Sequence, residues 1–95
     1  MAKKDVLRFG VIGVNGMGFG HVKTCISSPA AELVAICDID ESIAEKRRAE
    51  AEADVPIYRD YTEMIAKEQL DAVALGTPHY LHAPMAIYAA DHGLH

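Results

Sequence analysis

Tryptophan is absent from this sequence, aromatic residues make up only 6% of it, and no apolar run approaches the ~18 residues of a membrane-spanning helix. A membrane partner is therefore not expected. Basic residues are also scarce: nine Lys and Arg stand against fourteen Asp and Glu, for a formal net charge of −5. No segment gathers positive charge around aromatics, which argues against a nucleic acid partner. Cysteine is limited to Cys25 and Cys37, with no CxxC and no His-rich metal spacing around either, so two buried free thiols and no metal site are expected. The short apolar run Val11-Ile12 is interrupted on both sides by Gly10 and Gly13. The long continuous core of a signal peptide is missing, and the chain reads as cytoplasmic.

What remains is a packable composition. The 95 residues are 51% hydrophobic and 24% charged, which suits one core and one domain spanning 1–95. Short apolar runs alternate with longer amphipathic ones, the pattern of βαβ units around a parallel sheet. Strands are expected at Leu7–Ile12, Glu32–Cys37, Pro56–Tyr58 and Asp71–Leu75. The third should lie at a sheet edge, where Pro56 forfeits no ladder bond. Helices are expected from about His21 to Ser28, from Glu41 to about Ala53 behind an Asp40 cap, and through Lys67 behind a capping-box-like Asp60…Glu63. A fourth runs from Thr77-Pro78 to a left-handed stop at Gly93. Leu94-His95 would then begin a fifth strand. The fold class is α/β, a doubly wound parallel sheet amounting to an incomplete Rossmann fold of about four strands and four helices. Met64, Ile65, Met85 and Ile87 are expected in the core, and the mixed-sign run Glu45 to Glu50 on a solvated face with i,i+4 pairs.

The chemistry-bearing features cluster at strand ends. Gly13-Val14-Asn15-Gly16-Met17-Gly18 separates the first strand from the first helix, where free N–H groups and the helix dipole favour a pyrophosphate. Against GxGxxG, Gly13 and Gly18 hold positions one and three, and Asn15 holds position two. Alone the motif is weak, because a tight turn that lets helix and strand pack has the same glycines. Asp38 changes the balance: it ends the second strand, twenty residues beyond Gly18, where a carboxylate can bind the adenosine ribose. Its plainer role would be a turn residue. A 2′-phosphate beside Asp38 would be repelled, and Ile39 follows where an NADP site often has Arg or Ser, so NAD is favoured over NADP. Arg47 and Arg48 would be the counterargument, but they are expected to face solvent. At the end of the fourth strand, Thr77, Pro78, His79 and His82 fall at the carboxyl edge of the sheet, where doubly wound folds bind ligands. Each also has a bland reading as cap, helix starter, exposed side chain or packing residue.

Taken in order, Val11-Ile12-Gly13 with Gly16-Met17-Gly18 and His21, Ala35-Ile36-Cys37-Asp38, Tyr58-Arg59-Asp60-Tyr61, Asp71-Ala72-Val73, Thr77-Pro78 with His82, and Gly93-Leu94-His95 carry a resemblance. Over nearly its whole length the chain is similar to the glucose-fructose oxidoreductase, inositol dehydrogenase and MocA family. The resemblance implies an NAD(P)-dependent oxidoreductase acting on a sugar, inositol or related polyol, with an N-terminal Rossmann domain and a separate substrate domain. It also implies that the 13–18 loop holds the pyrophosphate, that Asp38 holds the ribose, and that Thr77, Pro78 and His79 line the cofactor near the nicotinamide. Asn15 departs from the family's usual Gly, and His79 from its frequent Asn. The family's Glu-Lys-Pro run, whose Lys assists proton transfer, and its substrate domain would lie beyond His95. The chain is therefore expected to be a truncated N-terminal portion with no catalytic residue of its own. Two other readings stay open: a stand-alone NAD-binding or sensing module, and a folded fragment that self-associates without binding dinucleotide. Self-association is expected in either case, through the exposed sheet edge or helix four.

Overall fold

A computed structural model describes residues 6–15, 17–76 and 79–94, and the side chains of these except at 17 and 79–83. The order is β1 (Leu7–Ile12), α1 (Met17–Ser27), β2 (Ala31–Cys37), α2 (Glu41–Glu50), β3 (Ile57–Tyr58), α3 (Tyr61–Lys67), β4 (Ala72–Leu75) and α4 (His79–Asp91). All strand pairs are parallel, in the order β3-β2-β1-β4. This is the doubly wound arrangement expected of a partial Rossmann fold. β3 is at one edge, as its proline required, and Pro56 still contributes a carbonyl to the Ile36 N–H, 3.1 Å away.

Strand alternation sends side chains to two cores. Val11, Ile36 and Ala74 join Val14, Val22, Cys25 and Ala44 on the face covered by α1 and α2. Ile12, Ala35, Cys37, Val73 and Leu75 pack on the other face with Met64 and Met85. The β1–β2 register slips between Phe9↔Leu33 and Gly10↔Ala35, so Val34 is an extra residue on β2. The bulge sends both Val34 and Ala35 to the Met64 side. Gly10 makes room there, since a Cβ would come within 2.8 Å of the Met64 methyl and 2.9 Å of Leu70.

The caps explain the helix limits. The Asp40 carboxylate accepts from the Ser42 and Ile43 amides at 3.1 and 3.3 Å, and from the Ser42 hydroxyl at 2.7 Å. Asp60 accepts from Thr62 N–H at 2.9 Å, but the reciprocal half of the capping box is replaced: Glu63 pairs with Lys67 at 3.0 Å. At its C-terminus α4 closes in a Schellman motif, with Leu94 N–H donating to Ala89 C=O, Gly93 N–H donating to Ala90 C=O, and Gly93 at φ +77°.

Four expectations need correction. Helix α2 stops at Glu50 rather than Ala53, because Ala53 N–H donates back to Arg48 C=O and Glu52 N–H to Ala49 C=O, with Glu52 left-handed at φ 55°. Ile87 is 62% exposed, outside both cores. Helix α1 starts at Met17, four residues before His21, because the glycine turn feeds directly into it. Leu94 is not in a strand, and His95 lies outside the described residues.

Candidate functional site

The carboxyl ends of β1, β2 and β4 meet at one edge of the sheet. Gly13 N–H donates to Cys37 C=O at 2.7 Å, Asp38 N–H to Tyr58 C=O at 2.9 Å, and Gly76 N–H to Ile12 C=O at 2.8 Å. These bonds carry the ladder just past the strands and bring the glycine turn, Asp38 and the turn after β4 together. Gly13 takes φ +80°, the left-handed conformation that lets the chain leave β1 sharply.

Close approach needs the other glycines. A Cβ on Gly18 would collide with the Gly13 carbonyl oxygen and sit 2.6 Å from its carbon. One on Gly76 would collide with Gly18 Cα and lie 2.6 Å from its nitrogen. The third glycine of the motif therefore does what the fingerprint requires of it, packing helix against strand. Gly76 was missed from the sequence, although a glycine directly after a strand of the sheet was its available signal.

Asp38 is tied into this turn. Its Oδ2 accepts from Val14 N–H at 3.1 Å and its Oδ1 from Asp40 N–H at 3.0 Å. The carboxylate is half-buried and thus fixed against the glycine loop, and each oxygen keeps lone-pair capacity for a hydroxyl donor. Ile39 beside it is 82% exposed. The first turn of α1 carries no acidic residue, so no carboxylate of that turn opposes an anion at the helix end.

Arg47 and Arg48 do not face solvent as expected. Arg47 Nη2 donates to Asn15 Oδ1 at 2.8 Å, its Nη1 pairs with Glu50 at 2.7 Å, and its guanidinium lies 4.9 Å from the Phe19 ring centroid. Arg48 Nη1 donates to Val55 C=O at 3.0 Å. The Arg47–Glu50 pair has i,i+3 rather than i,i+4 spacing.

Burial pushes the Cys37 thiol up to about 12, with help from the nearby negative charges of Asp38 and Asp60. Burial raises Cys25 as well. Both are free and buried, hence inert thiols rather than nucleophiles. Among the described residues no cluster of three His, Cys, Asp or Glu could hold a metal, and no helix is long and apolar enough to cross a membrane. Gly16, Thr77 and Pro78 lie outside the described residues, as do the side chains of Met17, His79 and His82. The backbone of Met17 opens α1, and His79 and His82 belong to the first turn of α4.

Comparison with known proteins agrees with this geometry. The family model described as an oxidoreductase family with an NAD-binding Rossmann fold matches residues 7–95. A glycosyl hydrolase family 109 protein of Shewanella sp. (strain W3-18-1) is 35% identical over 101 residues, covering 98% of this chain and 22% of that protein. Among solved structures, a myo-inositol 2-dehydrogenase from Lactobacillus plantarum is 31% identical with a TM-score of 0.84, over 94% of this chain and 26% of that one. The WlbA dehydrogenase from Bordetella pertussis, in complex with NADH and UDP-GlcNAcA, is 32% identical with a TM-score of 0.83, over 95% and 27%. The chain thus spans about a fifth of the curated relatives it matches. With strand order, glycine turn and family model in agreement, the chain belongs to the glucose-fructose oxidoreductase, inositol dehydrogenase and MocA family of oxidoreductases, as its NAD-binding Rossmann-fold part.

Proposed function

We propose that this chain binds a nicotinamide dinucleotide, NAD in preference to NADP. The observation that carries the reading is the Asp38 carboxylate held 3.1 Å from the Val14 N–H, inside the glycine turn that opens α1. In this assignment the 13–18 loop, comprising Gly13, Asn15, Gly16, Met17 and Gly18, takes the diphosphate at the N-terminus of α1, with Gly13 and Gly18 shaping the turn, since their own N–H groups donate to Cys37 C=O and Asn15 C=O. Asp38 accepts from the adenosine ribose hydroxyls, and exposed Ile39 offers apolar surface to the adenine. Thr77, Pro78, His79 and His82 line the path toward the nicotinamide. Asp38 repels a 2′-phosphate, which favours NAD.

When bound, the cofactor supplies a hydride acceptor or donor. This chain's contribution is to bind and orient it. In a protein of its relatives' length that begins with this chain, the substrate is a sugar, inositol or related polyol, and the location is the cytoplasm. A second reading, net glycoside hydrolysis rather than net oxidation, is favoured by the glycosyl hydrolase relative. Such a protein, given NAD with myo-inositol or with an aryl N-acetylhexosaminide, separates the two by NADH absorbance against aryl alcohol release. The chain is also proposed to self-associate through β4 or α4.

Calorimetric titration of the purified chain with NAD and NADP, with Asp38→Ala alongside, tests the binding. Saturable NAD binding that weakens at least tenfold in Asp38→Ala is expected, as for loss of a hydrogen-bonded charged group. A folded chain that binds neither nucleotide at millimolar concentration overturns the reading.

A further inference from the structure

Asn15 occupies the second position of the glycine motif, where the backbone of a dinucleotide-binding turn approaches the diphosphate. An asparagine amide has two faces of opposite character: Oδ1 only accepts and Nδ2 only donates. A freely turning amide would offer a phosphate its oxygen as readily as its nitrogen. The oxygen would repel it.

Arg47 removes that freedom. A guanidinium has donors and no acceptor, so its 2.8 Å contact with Asn15 can only involve Oδ1. The side chain that makes this contact comes from α2, thirty-two residues away. It is itself held by Glu50 at 2.7 Å and by stacking 4.9 Å from Phe19. It is only 26% exposed, and its Nε is buried without a hydrogen-bond partner.

We propose that Arg47 is a positioning residue for the dinucleotide: it locks Asn15 with Oδ1 turned to α2, leaving Nδ2 as a donor to the diphosphate. The proposal rests on the dinucleotide reading above. It assigns to α2, through one side chain, a role in a binding loop that otherwise belongs to β1 and α1. It also accounts for an asparagine at a position usually taken by glycine.

The test is a double-mutant cycle on NAD affinity with Arg47→Ala, Asn15→Gly and the double variant, each checked for folding by circular dichroism. Arg47→Ala is expected to weaken NAD about tenfold when Asn15 is present, and less than twofold in the Asn15→Gly background. The Asn15 side-chain amide resonances should also shift on adding NAD to the unmodified chain, and shift less in Arg47→Ala. Equal losses in both backgrounds would mean that Arg47 acts by charge alone and would overturn the proposal. So would unchanged affinity in Arg47→Ala. Should Arg47→Ala fail to fold, Arg47→Met keeps much of the apolar stem and removes every donor to Asn15 Oδ1, and retention of full NAD affinity there overturns the proposal. Failure of the unmodified chain to bind NAD would instead sink the dinucleotide reading, and this proposal with it.

Discussion

Gly18 and Gly20 sit two residues apart in the same helix and face opposite constraints. A Cβ at Gly18 runs into the Gly13 carbonyl, a backbone group that cannot swing away, whereas a Cβ at Gly20 meets nothing within 4 Å. Gly18→Ala should therefore destabilise the chain by about 1–3 kcal/mol, as overpacking does, and abolish NAD binding along with the turn. Gly20→Ala should stabilise it by about 0.5–1 kcal/mol, because an exposed helical glycine loses backbone entropy that alanine does not. Urea unfolding of the two variants checks both signs; a stable Gly18→Ala would mean that the turn has more slack than its geometry allows. In the sequence both positions look like members of one glycine cluster. The GxGxxG spacing singles out Gly18 of the two, and the distance to Gly13 gives the physical reason it is required.

At the scale of elements, α2 carries the sharpest difference between expectation and structure. Its start was legible, since Asp40 precedes Glu41 and the run that follows. Its end was not, because the left-handed residue of its Schellman motif is Glu52, where a glycine would have signalled the stop. Glu52→Gly should raise the thermal midpoint by relieving about 1 kcal/mol of left-handed strain, less the entropy glycine adds to the unfolded chain. A lower midpoint would show that the Glu52 side chain contributes more than its conformation costs. The opposite case is α4, where Gly93 announced its own left-handed turn and the helix stops at Asp91. Local caps and punctuation are written where they act, so β1, α3 and the end of α4 were readable to within a residue or two. The Val34 bulge had no such mark, because it is set by pairing with a strand more than twenty residues away.

For the molecule as a whole, the consequence lies at the sheet's second edge. Among the described residues β4 pairs only with β1, so its outer N–H and C=O groups have no strand partner in the sheet. β4 is short and carries no charge to discourage pairing. We expect the purified chain to self-associate, with an apparent mass by light scattering that rises with concentration. Gly76 N–H faces Ile12, so by alternation the N–H of Val73 lies on the outer edge. Replacing Val73 with Pro should block edge pairing and reduce that rise without removing a bond to β1, at the cost of core packing. A strictly monomeric chain at every concentration would show that this edge is protected.

What the sequence determined by itself was everything encoded by local periodicity and by residues acting within a few positions of themselves. Four strands and four helices, the caps Asp40 and Asp60, the glycine turn and the placing of Asp38 at a strand end all follow from apolar spacing and backbone preference. Tertiary structure alone decided which of these parts touch. It stacked Gly76 on Gly18, tied Asp38 to Val14, and brought Arg47 across to Asn15. Each of those contacts joins segments at least twenty residues apart, and their partners are fixed by the order in which the strands pair. That order is a property of the closed core, which no stretch of the chain carries alone.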